Sequence, residues 1–160
     1  MKKIKVYLDT STISHLYAED VPEKENETNL LWEDFIKGKY DIYVSQVVMT
    51  EIQKCSEPKR EKMLRRMQEI ELTVLHESDE VEYLANEYIK AGVLKAKSSD
   101  DCFHIAYAVI NNCDVIVSWN FKHLVNFRTI DRVRVVNAIN RYKEIGIISP
   151  NMLLEEVDEE

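Results

Sequence analysis

Glycine, proline and cysteine each occur only three times in the 160 residues. So little Gly and Pro leaves no material for a flexible or proline-rich linker. A chain of this length, 45% hydrophobic, is large enough for one core and small for two. One compact domain over residues 1–154 is expected, followed by an acidic tail at 155–160. Cys55, Cys102 and Cys113 form an odd set without Cys-x-x-Cys spacing. That indicates neither a disulfide framework nor a thiolate zinc site, and it fits a reducing cytoplasm. Long apolar runs are missing as well. The basic start Met1-Lys2-Lys3-Ile4-Lys5-Val6-Tyr7-Leu8 is cut off by Asp9, short of a signal peptide's hydrophobic region or a membrane span, so neither export nor anchoring is expected.

Positive charge is in deficit too, with 21 Lys and Arg against 29 Asp and Glu for a formal net charge of −8. Five of those acids sit in Glu155-Glu156-Val157-Asp158-Glu159-Glu160; without them 21 basic residues face 24 acidic ones, a net of −3. The cations are also unevenly spread. Lys54, Lys59, Arg60, Lys62, Arg65 and Arg66 crowd one stretch, and Arg128, Arg132, Arg134, Arg141 and Lys143 another. Each stretch reads two ways: as a local basic face for a phosphate backbone, or as a solvated helix face compensated by neighbours such as Glu57, Glu61 and Glu69.

The pattern along the chain alternates strands with helices. Residues 4–8 are a β-branched and aromatic run followed by Thr10-Ser11-Thr12, whose hydroxyls suit a helix start near Ile13. Leu30, Leu31, Phe35 and Ile36 fall at helical spacing in Glu27–Lys37 before Gly38, and Asp41–Val44 reads as a second strand. Gln46–Lys54 returns to helix. Pro58 opens another helix to about Ile70, Leu72–Leu75 is a third strand, and Ser78 or Asp79 caps a helix that stops at Gly92. Ser98–Asp101 starts a helix to about Asn112, and Asp114–Val117 is a fourth strand with the continuous hydrophobicity of one buried on both faces. Asp131–Tyr142 is expected to be helical, Ile147-Ile148 to pair at a sheet edge, and Pro150 to open a last short helix. The expected fold class is α/β, a three-layer α/β/α sandwich around a mainly parallel sheet.

Four oxygen-bearing positions stand at or near the ends of these elements: Asp9 after the first strand, Glu51 in the Gln46 helix, Asp100-Asp101 at a helix start, and Asn120 after the fourth strand. In parallel sheets functional residues gather at the carboxyl ends of the strands. Clustered carboxylates repel by about 4 kcal/mol per pair at about 4 Å and an effective dielectric near 20. A fold that gathers them therefore needs a cation there, or keeps some protonated. Taken singly, Asp9 reads equally as an Asx turn or helix cap, Glu51 as a solvated helix residue, and Asp100 or Asp101 as an N-cap.

In combination, Tyr7-Leu8-Asp9-Thr10-Ser11, Ser45-x-x-Val48-x-x-Glu51-Ile52, Asp101-x-x-His104-Ile105-Ala106-x-Ala108 and Val117-Ser118-Trp119-Asn120-x-Lys122-His123-Leu124 resemble the successive motifs of PIN domains. They are most similar to the small stand-alone PIN proteins that include VapC-type toxins. The resemblance spans nearly the whole chain in order. It implies a Mg2+- or Mn2+-dependent ribonuclease fold acting on RNA, often a homodimer and often inhibited by an antitoxin partner. Carried over by position, Asp9, Glu51 and Asp101 fall on the acidic metal ligands, and Asn120 falls where many members have a fourth acid. An Asn offers a neutral carbonyl oxygen and removes one negative charge, which puts a second metal in question; Asp100 could compensate or simply cap its helix. The catalytic set expected is Asp9, Glu51, Asp101 and Asn120.

Two further residues are candidate substrate contacts. Ser11 could hold a phosphate oxygen, although Thr10, Ser11 and Thr12 could equally bond the carboxylates or cap the next helix. His104 could touch substrate, although a structural imidazole packed between helices is the preferred reading. His123 invites the same caution. A haloacid-dehalogenase-like phosphatase would want an Asp where Ser11 stands, a phosphorylation receiver would want an acidic neighbour for Asp9, and Cys102, His104, Cys113 and His123 match no usual zinc spacing. The rival that survives is a non-catalytic PIN-like domain that binds RNA or protein with a weakened site at Asn120.

Overall fold

The β-branched and aromatic runs become five strands, β1 (Lys5–Leu8), β2 (Asp41–Ser45), β3 (Leu72–Leu75), β4 (Val115–Val117) and β5 (Gly146–Ile148), in a computed structural model that describes residues 2–154. The acidic tail expected at 155–160 lies outside the described residues. The strands form one sheet in the order β3-β2-β1-β4-β5, and every pairing in it is parallel. Register runs through Val6, which faces Ile42 on one side and Val115 on the other. Val6, Tyr7 and Leu8 are fully buried, as a central strand covered on both faces must be.

The helices are α1 (Thr10–Ser14), α2 (Pro22–Ile36), α3 (Gln46–Gln53), α4 (Lys59–Met67), α5 (Asp79–Lys90), α6 (Ser99–Ile110), α7 (Phe127–Ile139) and α8 (Pro150–Leu153). Right-handed crossovers put α1 to α4 on one face, while the chain steps from β1 to β2 to β3. They put α5 to α7 on the other face, once it doubles back to β4 beside β1. Within each face α1 and α4 touch α3, and α6 and α7 touch α5, while α3 and α6 also meet across the division. This is the three-layer α/β/α sandwich expected from the sequence. Leu31, Trp32, Val81, Leu84 and Ile105 fill the layers against Tyr7, Leu8 and Ile116, each fully buried side chain of this kind contributing about 1.5–3 kcal/mol.

Three helix starts differ from the sequence reading. Helix α1 starts at Thr10, ahead of the expected Ile13, because Asp9 acts as the cap of its alternative reading, its Oδ1 accepting from Thr12 N at 3.2 Å. Helix α2 begins at Pro22, where the ring presets φ and the missing N–H costs nothing, with Glu23 and Glu25 complementing the helix dipole. Helix α7 begins at Phe127, because Asn126 Oδ1 accepts from Thr129 N at 2.9 Å. Gly38 and Gly92 follow α2 and α5 at φ +77° and +70°, the left-handed turn that glycine adopts without strain. Among the described residues no helix is long and apolar enough to cross a membrane.

Because all strands run the same way, their carboxyl ends share one edge of the sheet. The chain reverses its direction of travel across the sheet between β1 and β4, the switch point at which such sheets open a crevice. Asp9 follows β1 and Ser118 follows β4 at that point.

Candidate functional site

Asp9 is buried and held from several sides. Its Oδ1 accepts from Ser11 Oγ at 2.7 Å, from Thr12 N at 3.2 Å and from Thr12 Oγ1 at 3.3 Å, and its Oδ2 accepts from Ser118 Oγ at 2.6 Å. Ser11 Oγ in turn accepts from Trp119 N at 2.9 Å, and Ser118 Oγ accepts from Asn120 N at 2.9 Å. The loop after β4 is thereby tied to the carboxylate at the end of β1.

Glu51, reaching in from α3, accepts at Oε1 from Thr10 Oγ1 at 2.7 Å and from His104 Nε2 at 2.8 Å. A carboxylate can only accept, so the proton of that second bond sits on Nε2. The far side of the ring, His104 Nδ1, lies 2.7 Å from the Tyr7 hydroxyl, which lies 2.8 Å from Ser45 Oγ. His104 is 2% exposed. Burial pulls its pKa down, but the Glu51 bond and the charges of Asp9, Glu51 and Asp101 outweigh that and raise it. Glu51 moves the other way: burial would raise it, yet the His104 bond and charge and the Thr10 bond hold it below the usual carboxylate range. The Tyr7 phenol is pushed well up by burial and stays neutral.

Asp101, in the first turn of α6, has no hydrogen-bond donor among the described residues. Burial raises its pKa, and although His104 and His123 oppose this, the charges of Asp9 and Glu51 add to the rise. Asp9, after β1, and Glu51, on α3, thus both act on Asp101 at the start of α6. Among the described residues no three of His, Cys, Asp or Glu stand close enough together to hold a metal ion as they are. The chemistry of the donors nonetheless fits a hard divalent cation. They are oxygen donors only, and burial disfavours the charged form of Asp101 until a positive charge joins it.

The remaining candidates are more scattered. Asn120 Oδ1 accepts from His123 N at 2.9 Å, so its amide oxygen closes the turn of its own loop. Asp100 is exposed and lines a cavity of about 480 Å3 with Gln46, Thr50, Glu51, Lys54 and Glu77, on the Glu51 side. Ser11 and His104 have their polar atoms committed to Asp9, Trp119, Glu51 and Tyr7. Ser118, Tyr7 and Ser45 complete the network, although in the sequence they stand only as parts of motifs, without a role of their own. A hydroxyl following a strand, next to an expected ligand loop, is the one local signal that points to Ser118.

The family model described as PIN domain matches residues 6–124, the span that contains every residue of this network. Among solved structures, one of VapBC2 from Rickettsia felis bound to a DNA fragment from their promoter contains a similar chain. The match has a TM-score of 0.55 and 15% identity, covering 91% of this chain and 98% of that one. Likeness at that identity is a likeness of fold. No curated protein matches this chain by sequence.

Proposed function

The chain belongs to the PIN domain family, and from that premise we propose that it is a metal-dependent endoribonuclease hydrolysing RNA phosphodiester bonds. The observation that supports this reading most is geometric: at the carboxyl edge of the sheet, by the switch point, Thr10 next to Asp9 and His104 one turn after Asp101 both bond Glu51 Oε1. These three would hold Mg2+ or Mn2+, with Asn120 and Asp100 at the margin of the set. Such an ion, when bound, supplies Lewis acidity toward the phosphodiester and lowers the pKa of a water near it. The chain's own residues hold the acids in place. Ser11, Thr12 and Ser118 fix both oxygens of Asp9, while Thr10 and His104 fix Oε1 of Glu51 and leave its other oxygen free to turn toward substrate or cation.

The test is incubation of the purified protein with single-stranded and structured RNA in Mn2+ or in EDTA, beside Asp9→Ala and Asp101→Ala. Cleavage that needs Mn2+ and is lost in both variants is expected; no such cleavage under any condition sinks the proposal. The second reading, a non-catalytic PIN-like domain that binds RNA or protein, draws on Asn120, whose oxygen is spent on the His123 backbone. Retention of RNA without cleavage in the same assay would favour it.

We further read the protein as the toxin of a type II pair, acting in the cytoplasm as a homodimer and held by an antitoxin. The motif order and the fold shared with the VapBC2 chain support this reading. Growth arrest on expression, relieved by a neighbouring small protein, is the outcome it requires.

A further inference from the structure

The two basic stretches of the sequence meet different fates in the fold. On and beside α4 the cations stand among acids: Arg60 pairs with Glu57, Arg65 with Glu61 and Arg66 with Glu69, while Lys59 and Lys62 line a cavity with Glu19, Asp20 and Glu25. At the start of α7 the opposite holds. Arg128 and Arg132 line a cavity of about 440 Å3 with Lys95, Lys97, Lys122 and His123, and no Asp or Glu lines it. None of those five Lys and Arg side chains enters an ion pair among the described residues. In a chain of net charge −8, five unmatched cations around one opening repel each other and draw in an anion. The N-terminus of the 13-residue helix α7 adds its positive end at the same place.

The cavity lies beside the start of the helix that carries Asp101 and beside the loop that carries Asn120. Ser98 on its wall lies three positions before Asp101, and His123 is held through its backbone N–H by Asn120. The cavity on the other side of the α6 N-terminus has the reverse character, with Glu51, Glu77 and Asp100 against the one cation Lys54. A polyanion passing the acids is therefore attracted on the α7 side and repelled on the α3 side. Phe127, 82% exposed beside the loop that carries Lys122 and His123, offers an open ring face of the kind on which unpaired bases stack, whereas Lys24 Nζ already lies over the Phe121 ring at 5.0 Å.

We propose that the cavity formed by Lys95, Lys97, Lys122, Arg128 and Arg132 is the docking groove for the phosphate backbone of single-stranded RNA, and that it grips the substrate on one side of Asp101 only. This rests on the reading of the protein as a ribonuclease, but its test does not need cleavage. Binding of a fluorescent single-stranded RNA is followed by anisotropy in EDTA, for the full chain, for Lys97→Glu/Arg128→Glu in the groove, and for Lys59→Glu/Arg65→Glu on α4. The groove variant is expected to bind about tenfold or more weakly, and its plot of log affinity against log salt to flatten by about 0.7 for each phosphate that is no longer neutralised. The α4 variant is expected to bind as the parent does. A milder Lys97→Gln/Arg128→Gln pair with an unchanged melting temperature should also flatten the salt plot, which separates missing charge from impaired folding. Unchanged binding in the groove variants, or an equal loss in the α4 variant, overturns the proposal. A protein that binds RNA through the groove yet never cleaves it would sink the ribonuclease reading and leave the groove standing; cleavage with unaltered binding in the groove variants would do the reverse.

Discussion

Asp9 receives side-chain or backbone donors from Ser11, Thr12 and Ser118, and that anchoring is what turns an acidic residue after a strand into a rigid one. Removing the Ser118 hydroxyl leaves Asp9 Oδ2 buried without its donor and Asn120 N without its acceptor. A hydrogen bond to a charged group contributes about 1.5–3 kcal/mol, so Ser118→Ala should lower the melting temperature by roughly 3–12 °C at this chain length. A thermal melt by circular dichroism checks it; a shift below about 1 °C would show that the loop is held by something else. At this scale the sequence is partly legible. Thr10, Ser11 and Thr12 read as able to bond the carboxylates, and two of the three bond Asp9 while Thr10 bonds Glu51. His104 as a packed imidazole also fits its 2% exposure. Ser118 is not legible as a partner of Asp9, because the two are 109 positions apart and no local pattern records a bond made through the sheet.

Element boundaries follow cap chemistry where the cap is recognisable. Ser78 is one of two caps the sequence offers for α5, and its Oγ does accept from Val81 N at 3.2 Å. Asn126 is not recognised as a cap from the sequence pattern, which puts the expected start of α7 at 131 in place of 127. Its side chain serves two roles: Oδ1 accepts from Thr129 N, and Nδ2 donates to the carbonyls of Phe121 and Lys122. Asn126→Ala should cost about 1 kcal/mol through the missing cap. Its larger effect should be to loosen the loop that carries Asn120, Lys122 and His123. Amide exchange should then quicken at residues 121–130 while α5 and α6 keep their protection, and uniform protection across α7 would refute that division. Helix α7 also packs on α5 through the buried pair of Tyr88 hydroxyl and Asn137 Oδ1. The cap thus sets where the helix begins, and the pair sets where it lies.

On the scale of the molecule, the site edge of the sheet has a counterpart at the opposite edge. Asp114 Oδ2 accepts from Lys5 N at 2.8 Å and its Oδ1 lies 3.4 Å from Lys143 Nζ, tying the starts of β1 and β4 together. The Lys5 backbone bond first of all, with help from Lys143, holds the Asp114 carboxyl below its ordinary value of 3.8 against the opposing effect of burial. A depressed folded pKa means stability that is present above the ordinary value and is lost as pH falls through the folded one. Asp114→Asn should therefore melt below the parent at neutral pH, by an amount near about 0.5 kcal/mol given the exposure of the group. The gap should close only under acid, below the ordinary carboxylate range, as melting curves across pH would show. A gap that opened as pH fell would contradict the sign.

The order of strands and helices, the burial of β4 and the acidic identities of positions 9, 51 and 101 were determined by the sequence alone, because periodicity, caps and turn residues act over a few positions. Only the tertiary structure decided that Asp9 and Glu51 come to act on Asp101, that Asn120 spends its oxygen on its own loop, and which basic stretch is left unmatched. Those outcomes depend on the crossover from β3 to β4, which brings segments some hundred positions apart within hydrogen-bonding distance, where charge and geometry finally act together.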